Sequence, residues 1–233
     1  MIQMRERPSP NFGPRSGGID MLVLHYTGMT SAEAALERLC SPDSQVSAHY
    51  LIAEDGTVWR LVPEAQRAWH AGVSSWRGRR DINGCAIGIE LANPGHEWGY
   101  VPFPEPQMRA CEVLCHEILA RHPIPPRHIL GHSDVAPQRK PDPGELFDWA
   151  RLARAGIGLF PAAPSRAAET IAEAQRLLAD FGYACPQSGR LDTATRHVIV
   201  AFQRHFRPTR CDGAADAETC GLIRAVAQLS GEI

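Results

Sequence analysis

The 233-residue chain has no uninterrupted run of about 18 apolar residues, so no part of it reads as a membrane-crossing helix. Its first stretch, MIQMRERPSPNFGPRSGG, lacks the apolar centre that an export signal requires. It has little surplus of charge of either sign: 24 Lys and Arg stand against 26 Asp and Glu, a formal net charge of -2. Without a basic excess, neither nucleic acid nor an anionic membrane surface is expected as a partner. Seven cysteines (Cys40, Cys85, Cys111, Cys115, Cys185, Cys211, Cys220) cannot all pair, and none forms a C-x-x-C. Reduced thiols in a cytosol fit that pattern best. H-E-x-x-H, the helical zinc-protease signature, is also missing. These absences lead us to expect a cytoplasmic monomer with no transmembrane segment. The alternative is a periplasmic or outer-membrane-associated chain whose signal peptide has been removed.

What is there begins with texture. Residues 1–20 are rich in Pro, Gly and Arg and are expected to form an irregular arm. Residues 21–27, MLVLHYT, have the near-continuous apolarity of a strand buried on both faces, ending at His25 and Tyr26. Thr30 and Glu33, in capping-box spacing, open a helix over residues 30–40. Two strand-like runs, 48–53 and 57–62, flank Asp55-Gly56, a strong hairpin signal. Residues 69–84, WHAGVSSWRGRRDING, make a loop too long for a mere connector, which marks it as functional. AIGIEL, 86–91, is another buried-type strand, with Glu90 near its end. An amphipathic helix is expected over 104–121 and another over 145–155, stopped by Gly156.

Between those helices lies ILGHSDVAPQRKPDPG, residues 129–144. A short strand at Ile129 and Leu130 runs into His132, and Pro137, Pro141 and Pro143 stiffen the loop that carries Lys140 and Asp142. Residues 160–166, FPAAPSR, have the composition of a linker. Beyond it, helices are expected over 168–181, over 193–206 behind an Asp192 cap, and over 217–229 behind an Asp216 cap. The predicted fold class is therefore α/β, with a mixed central β-sheet flanked by helices, plus a small C-terminal three-helix bundle. The expected divisions are an N-terminal arm at 1–20, an α/β domain at 21–159, a linker at 160–166 and a helical domain at 167–233.

Of the ten histidines, His96, His116, His122, His128, His197 and His205 have helical or loop contexts without an acidic partner pattern, and are read as surface or satisfied positions. Any one of His25, His49, His70 and His132 taken alone is more often structural, because imidazole is amphipathic and frequently half-buried. The combination reads differently. His25, Glu90 and His132 at strand ends, with Lys140 and Asp142 on a proline-fixed loop, supply the parts of a metal-assisted hydrolase. Two imidazoles and a carboxylate suit zinc with one position left open. A second carboxylate can move protons, and a cation can meet an oxyanion.

Six blocks, LHYT at His25, AHYLI at His49, DGTVWRLVPE, AWHAG at His70, AIGIELAN at Glu90 and GHSDVAPQRKPDPG, together resemble the zinc-dependent N-acetylmuramoyl-L-alanine amidases. That group includes phage lysozyme-type amidases and peptidoglycan recognition proteins, and the likeness runs from about Ile19 to Gly158. The resemblance implies one Zn2+ per chain with His25, His132 and Asp142 as ligands, Glu90 as the catalytic carboxylate and Lys140 beside the scissile carbonyl. It implies a peptidoglycan or anhydro-muropeptide substrate, cut between the lactyl group of N-acetylmuramic acid and L-alanine in cell-wall recycling or turnover. Residues 167–229 are similar to three-helix peptidoglycan-binding domains, with A-x-x-L-L and A-F-Q segments around a D-x-x-T cap; Gly189-Arg190 stands where that pattern has Asp-Gly. For substrate contacts the candidates are His49, Trp69, His70, Asn93 and Arg79, with Trp76 and Arg80 beside them. Two other readings stay open: a non-catalytic recognition protein gripping peptidoglycan, and a zinc peptidase acting within the stem peptide.

Overall fold

The structure, a computed structural model, describes residues 3–15 and 17–231. It divides into two compact units, one running to Gly72 and resuming over Asp81–Leu130, the other combining Val73–Arg80 with the chain from Gly131 onward.

The first unit is built on strands β1 (Met4–Glu6), β2 (Phe12–Pro14), β3 (Met21–Tyr26), β4 (Tyr50–Ile52), β5 (Val58–Arg60), β6 (Gln66–Ala68), β7 (Ala86–Leu91) and β8 (Ile129–Gly131). Six of them form one sheet in the order β1-β5-β4-β7-β3-β8, while β2 and β6 make a separate antiparallel ribbon. β3 and β7 run parallel at the centre, as do β4 and β7, and β4 turns back antiparallel on β5 through Asp55-Gly56. Their central position explains why MLVLHY and AIGIEL are apolar almost throughout: both faces of these strands are covered.

Helices α1 (Ala32–Cys40), α2 (Ile82–Cys85), α3 (Gly95–Trp98) and α4 (Glu105–Arg121) belong to this unit. Ala35, Leu36 and Leu39 of α1 pack with Leu51 and Leu61. Buried Gln107 of α4 donates from Nε2 to the carbonyls of Ile52 and Ala92, tying the helix to two strand ends. The cap of α1 is Ser31, whose hydroxyl accepts from the Ala34 N–H, not the expected Thr30.

Residues 1–20 depart from expectation, except that residues 1, 2 and 16 lie outside those described. They carry two strands instead of an irregular arm. β1 pairs parallel with the edge strand β5, and β2 pairs with β6. Between them Ser9 and Asn11 are buried; Asn11 Nδ2 donates to the carbonyls of Ser41 and Val46 at 2.8 and 2.9 Å. Proline does not bar such pairing at an edge, where its missing N–H is not needed by the ladder.

The second unit contains α5 (His132–Val135), α6 (Trp149–Arg154), α7 (Ile171–Phe181), α8 (Thr193–Phe206) and α9 (Ala217–Leu229). α6 is shorter than expected because Asp148 caps it, accepting from the Arg151 N–H. The last three helices form the expected bundle around Leu177, Phe181, Phe202, Phe206, Ile223 and Val226. One device occurs twice in it. Gln175 and Gln203 each donate to a threonine of the next helix, Thr195 and Thr219, and each accepts a glycine N–H, from Gly189 and Gly213. Asp192 and Asp216 cap those next helices three residues before the threonines. Among the described residues no helix is long and apolar enough to cross a membrane.

Candidate active site

His25 and Glu90 are register partners on the parallel strands β3 and β7. Residues in register on neighbouring strands share a face, so an imidazole and a carboxylate stand side by side at the ends of two strands whose other residues are apolar. His25 is buried and Glu90 half-buried.

His25 is held by a second histidine. Its Nε2 lies 3.0 Å from Nδ1 of His70, with the rings edge to face. One of these nitrogens donates and the other accepts, which fixes the His25 ring. The His70 ring occupies the space where Gly88, two residues before Glu90, would carry a Cβ, so glycine is required there. His70 is buried, and the side-chain oxygen of Asn83 accepts from the backbone N–H groups of His70 and Ala71.

His49 is buried outright and has no surface with which to line a site. Its Nδ1 accepts from the Gly88 N–H at 2.9 Å, so Nε2 carries the proton and faces the Gln66 carbonyl at 3.1 Å. Burial, with the nearby Arg15 cation, lowers its pKa from 6.5 to about 4, although the Gln66 carbonyl acts the other way. Arg15 itself donates to the carbonyls of Gln66, Gly84 and Ala86. His49 therefore orders the backbone beneath His70.

In the second unit His132 begins α5 immediately after β8. Asp142 Oδ2 lies 3.0 Å from His132 Nδ1, the separation of two groups that share a proton or a cation, and both residues are buried. The Ser133 N–H donates to the Asp142 carbonyl, closing the loop between them. Lys140 is half-buried, its N–H donating to the Ala136 carbonyl.

The second unit thus sets an imidazole and a carboxylate side by side, His132 and Asp142, and the first unit carries a further buried imidazole, His25, at a strand end. Two imidazoles and a carboxylate form a borderline-to-hard donor set that matches zinc, and their burial suits a site that must shield a cation from competing water.

A model of the N-acetylmuramoyl-L-alanine amidase family matches residues 15–145. The chain belongs to that family. It is accordingly an amide hydrolase. A model of peptidoglycan binding domains matches residues 167–223. The chain is 40% identical over 236 residues to N-acetylmuramoyl-L-alanine amidase AmiD of Escherichia coli K12, covering 92% of this chain and 84% of AmiD. The structure of AmiD with the substrate anhydro-N-acetylmuramic acid-L-Ala-D-gamma-Glu-L-Lys is similar at a TM-score of 0.82 and 38% identity, over 97% of this chain and 94% of that one. AmpDh3 of Pseudomonas aeruginosa in complex with anhydromuramic pentapeptide gives 0.81 at 31% identity, over 96% and 95%.

The remaining candidates of this amidase fall in varied places. Trp69 is half-buried, and its backbone exchanges hydrogen bonds with Ser47. Asn93 is buried and serves its own loop, donating to the Val101 carbonyl and accepting from the Gly95 N–H. Arg79 is half-buried and pairs through its backbone with Trp76; Arg80 is exposed. Trp76 is fully buried, its ring edge-to-face with Phe181 and Tyr183, so it packs the second unit and offers no face to a sugar. Sequence reasoning assigned nothing to Asp134, although it lies inside the GHSD motif. It is fully buried, and its carboxylate is bonded to Gly131, Tyr183 and His205.

Proposed function

We propose that the chain uses one zinc ion, held by His25, His132 and Asp142, to hydrolyse the amide between the lactyl group of N-acetylmuramic acid, in its 1,6-anhydro form, and L-alanine. The observation that carries this reading is the buried His132–Asp142 pair, 3.0 Å apart, within the residues that the amidase family model matches. The anhydro-muramyl peptides bound to AmiD and AmpDh3 support the choice of substrate. Zinc bound there supplies Lewis acidity and brings the pKa of a coordinated water toward about 7.

The chain's own groups do the rest. Glu90 takes a proton from the attacking water as its oxygen bonds to the carbonyl carbon, and returns it to the nitrogen as the C–N bond breaks. The amine of L-alanine leaves neutral, and the lactyl group leaves as a carboxylic acid, which then gives its proton to the amine or to solvent. Lys140 contributes an ammonium to the negative charge that develops on the carbonyl oxygen.

The match of residues 167–223 to peptidoglycan binding domains favours a second substrate, intact wall. The deciding experiment offers zinc-loaded protein anhydro-muropeptides and purified sacculi side by side and reads product masses, with Glu90→Ala as control. We expect the anhydro-sugar and a stem peptide beginning with L-alanine. Cuts within the stem peptide would indicate a peptidase, and no product from either substrate would indicate a recognition protein. Preference for soluble muropeptides would fit a cytoplasmic recycling enzyme, and preference for sacculi one that faces the wall.

A further inference from the structure

We propose that the C-terminal bundle is a positioning element for the His132–Asp142 segment, acting through Asp134, with Tyr183 and His205 as positioning residues. This rests on the reading of His132 and Asp142 as zinc ligands.

The segment and the bundle belong to one compact unit. Asp134 sits in α5 two residues after His132 and is fully buried. A buried carboxylate is tolerated only when its oxygens are satisfied, and three donors satisfy these. The Gly131 N–H donates to Oδ2 at 2.8 Å, fixing the backbone just before His132. The other two donors come from the bundle: the Tyr183 hydroxyl to Oδ1 at 2.5 Å, and His205 Nδ1 to Oδ2 at 2.7 Å. An ionised carboxylate can only accept, so Nδ1 of His205 carries its hydrogen.

A second route reaches the same backbone. The His205 ring stacks between Phe206 and Trp149, with centroids 4.0 and 3.8 Å apart. Trp149 in turn lies against Gly131, where an added Cβ would meet Pro143 Cδ at 2.7 Å and Trp149 at 3.3 Å. Pro143 follows Asp142, whose carbonyl accepts from Ser133. Bundle side chains therefore reach Gly131, the residue before His132, by way of Asp134 and of Trp149, and Gly131 in turn packs against Pro143, the residue after Asp142. Two groups assigned to zinc, ten residues apart, are thereby tied to a domain that matches a model of peptidoglycan binding domains. Loss of a supporting bond of this kind should widen the spread of ligand positions, which weakens metal affinity and turnover while leaving substrate affinity alone.

The test is zinc affinity, by competition with a chromophoric chelator, together with kcat and KM, in the full chain. Tyr183→Phe keeps the ring and removes the hydrogen bond; it should weaken zinc binding and lower kcat roughly tenfold, with KM unchanged. Val226→Ala deletes core volume in α9 without touching Asp134; it should lower the melting temperature and leave zinc affinity within about twofold, below what a lost supporting bond costs. Unchanged affinity in Tyr183→Phe, or equal weakening in both variants, overturns the proposal. A parent chain that binds no zinc overturns the reading beneath it instead. Should Tyr183→Phe not fold, hydrogen exchange in the unaltered chain decides: reciprocal coupling requires zinc to slow exchange in α7 and α8, and unchanged exchange overturns the proposal.

Discussion

Glu90 stands beside His25 in the register of two parallel strands, so the group assigned to proton transfer and one assigned to the metal are fixed to each other by backbone hydrogen bonding. A strand pair buried on both faces holds such a relation without help from loops.

Glu90→Gln should therefore separate proton transfer from metal binding. We expect zinc content equal to the parent and kcat reduced by roughly a hundredfold or more, within the range for loss of a general base. Release of free stem peptide, followed by mass spectrometry, together with zinc analysis of the same sample, checks both halves.

Lys140→Ala should act as a rate defect. Removal of one donor to an oxyanion costs about a hundred- to thousandfold in kcat. Lys140 is half-buried in a loop outside the apolar core, so unfolding free energy should move by no more than about 0.5 kcal/mol. Parallel urea titrations and initial rates distinguish this from misfolding.

His70 should matter through His25. His70→Phe keeps a ring above Gly88 and removes the Nδ1 that meets His25 Nε2. Zinc affinity should fall by roughly ten- to a hundredfold, as for other groups that orient a histidine ligand. His70→Asn, which restores a polar atom near that position, should recover part of the loss.

His49 predicts a pH dependence. Burial, helped by Arg15, keeps its imidazole neutral in the folded chain down to about 4, from an ordinary 6.5. Between those values the unfolded chain binds the proton and the folded chain does not. The stability tied to His49 is thus fully present above pH 6.5 and is lost as the pH falls toward 4. In His49→Asn, whose side-chain oxygen can still accept from Gly88, the decline across that window should flatten. Urea unfolding at three pH values within it measures the slope.

Much of the first unit was legible because its signals are local. AIGIEL reads as a strand from its own apolarity, and Asp192 and Asp216 announce helices from three residues away. The strand pairing of residues 4–6 and 12–14 was not, since it depends on edges supplied by residues 58–60 and 66–68. The same limit applies at the site. His25, Glu90, His132, Lys140 and Asp142 stand out by type and place, but the meeting of His70 with His25 spans 45 residues. The bond from His205 to Asp134 spans 71, and no periodicity in α8 distinguishes that histidine from a neighbour that merely packs. Burial likewise removed His49 and Trp76 from the substrate wall that their residue types invited.

Metal content by mass spectrometry in the parent, His25→Ala and Asp142→Ala decides whether these side chains hold zinc. One zinc per chain is expected in the parent, with loss of zinc from both folded variants. Amidase activity in a metal-free parent, or zinc retained in both variants, would contradict it.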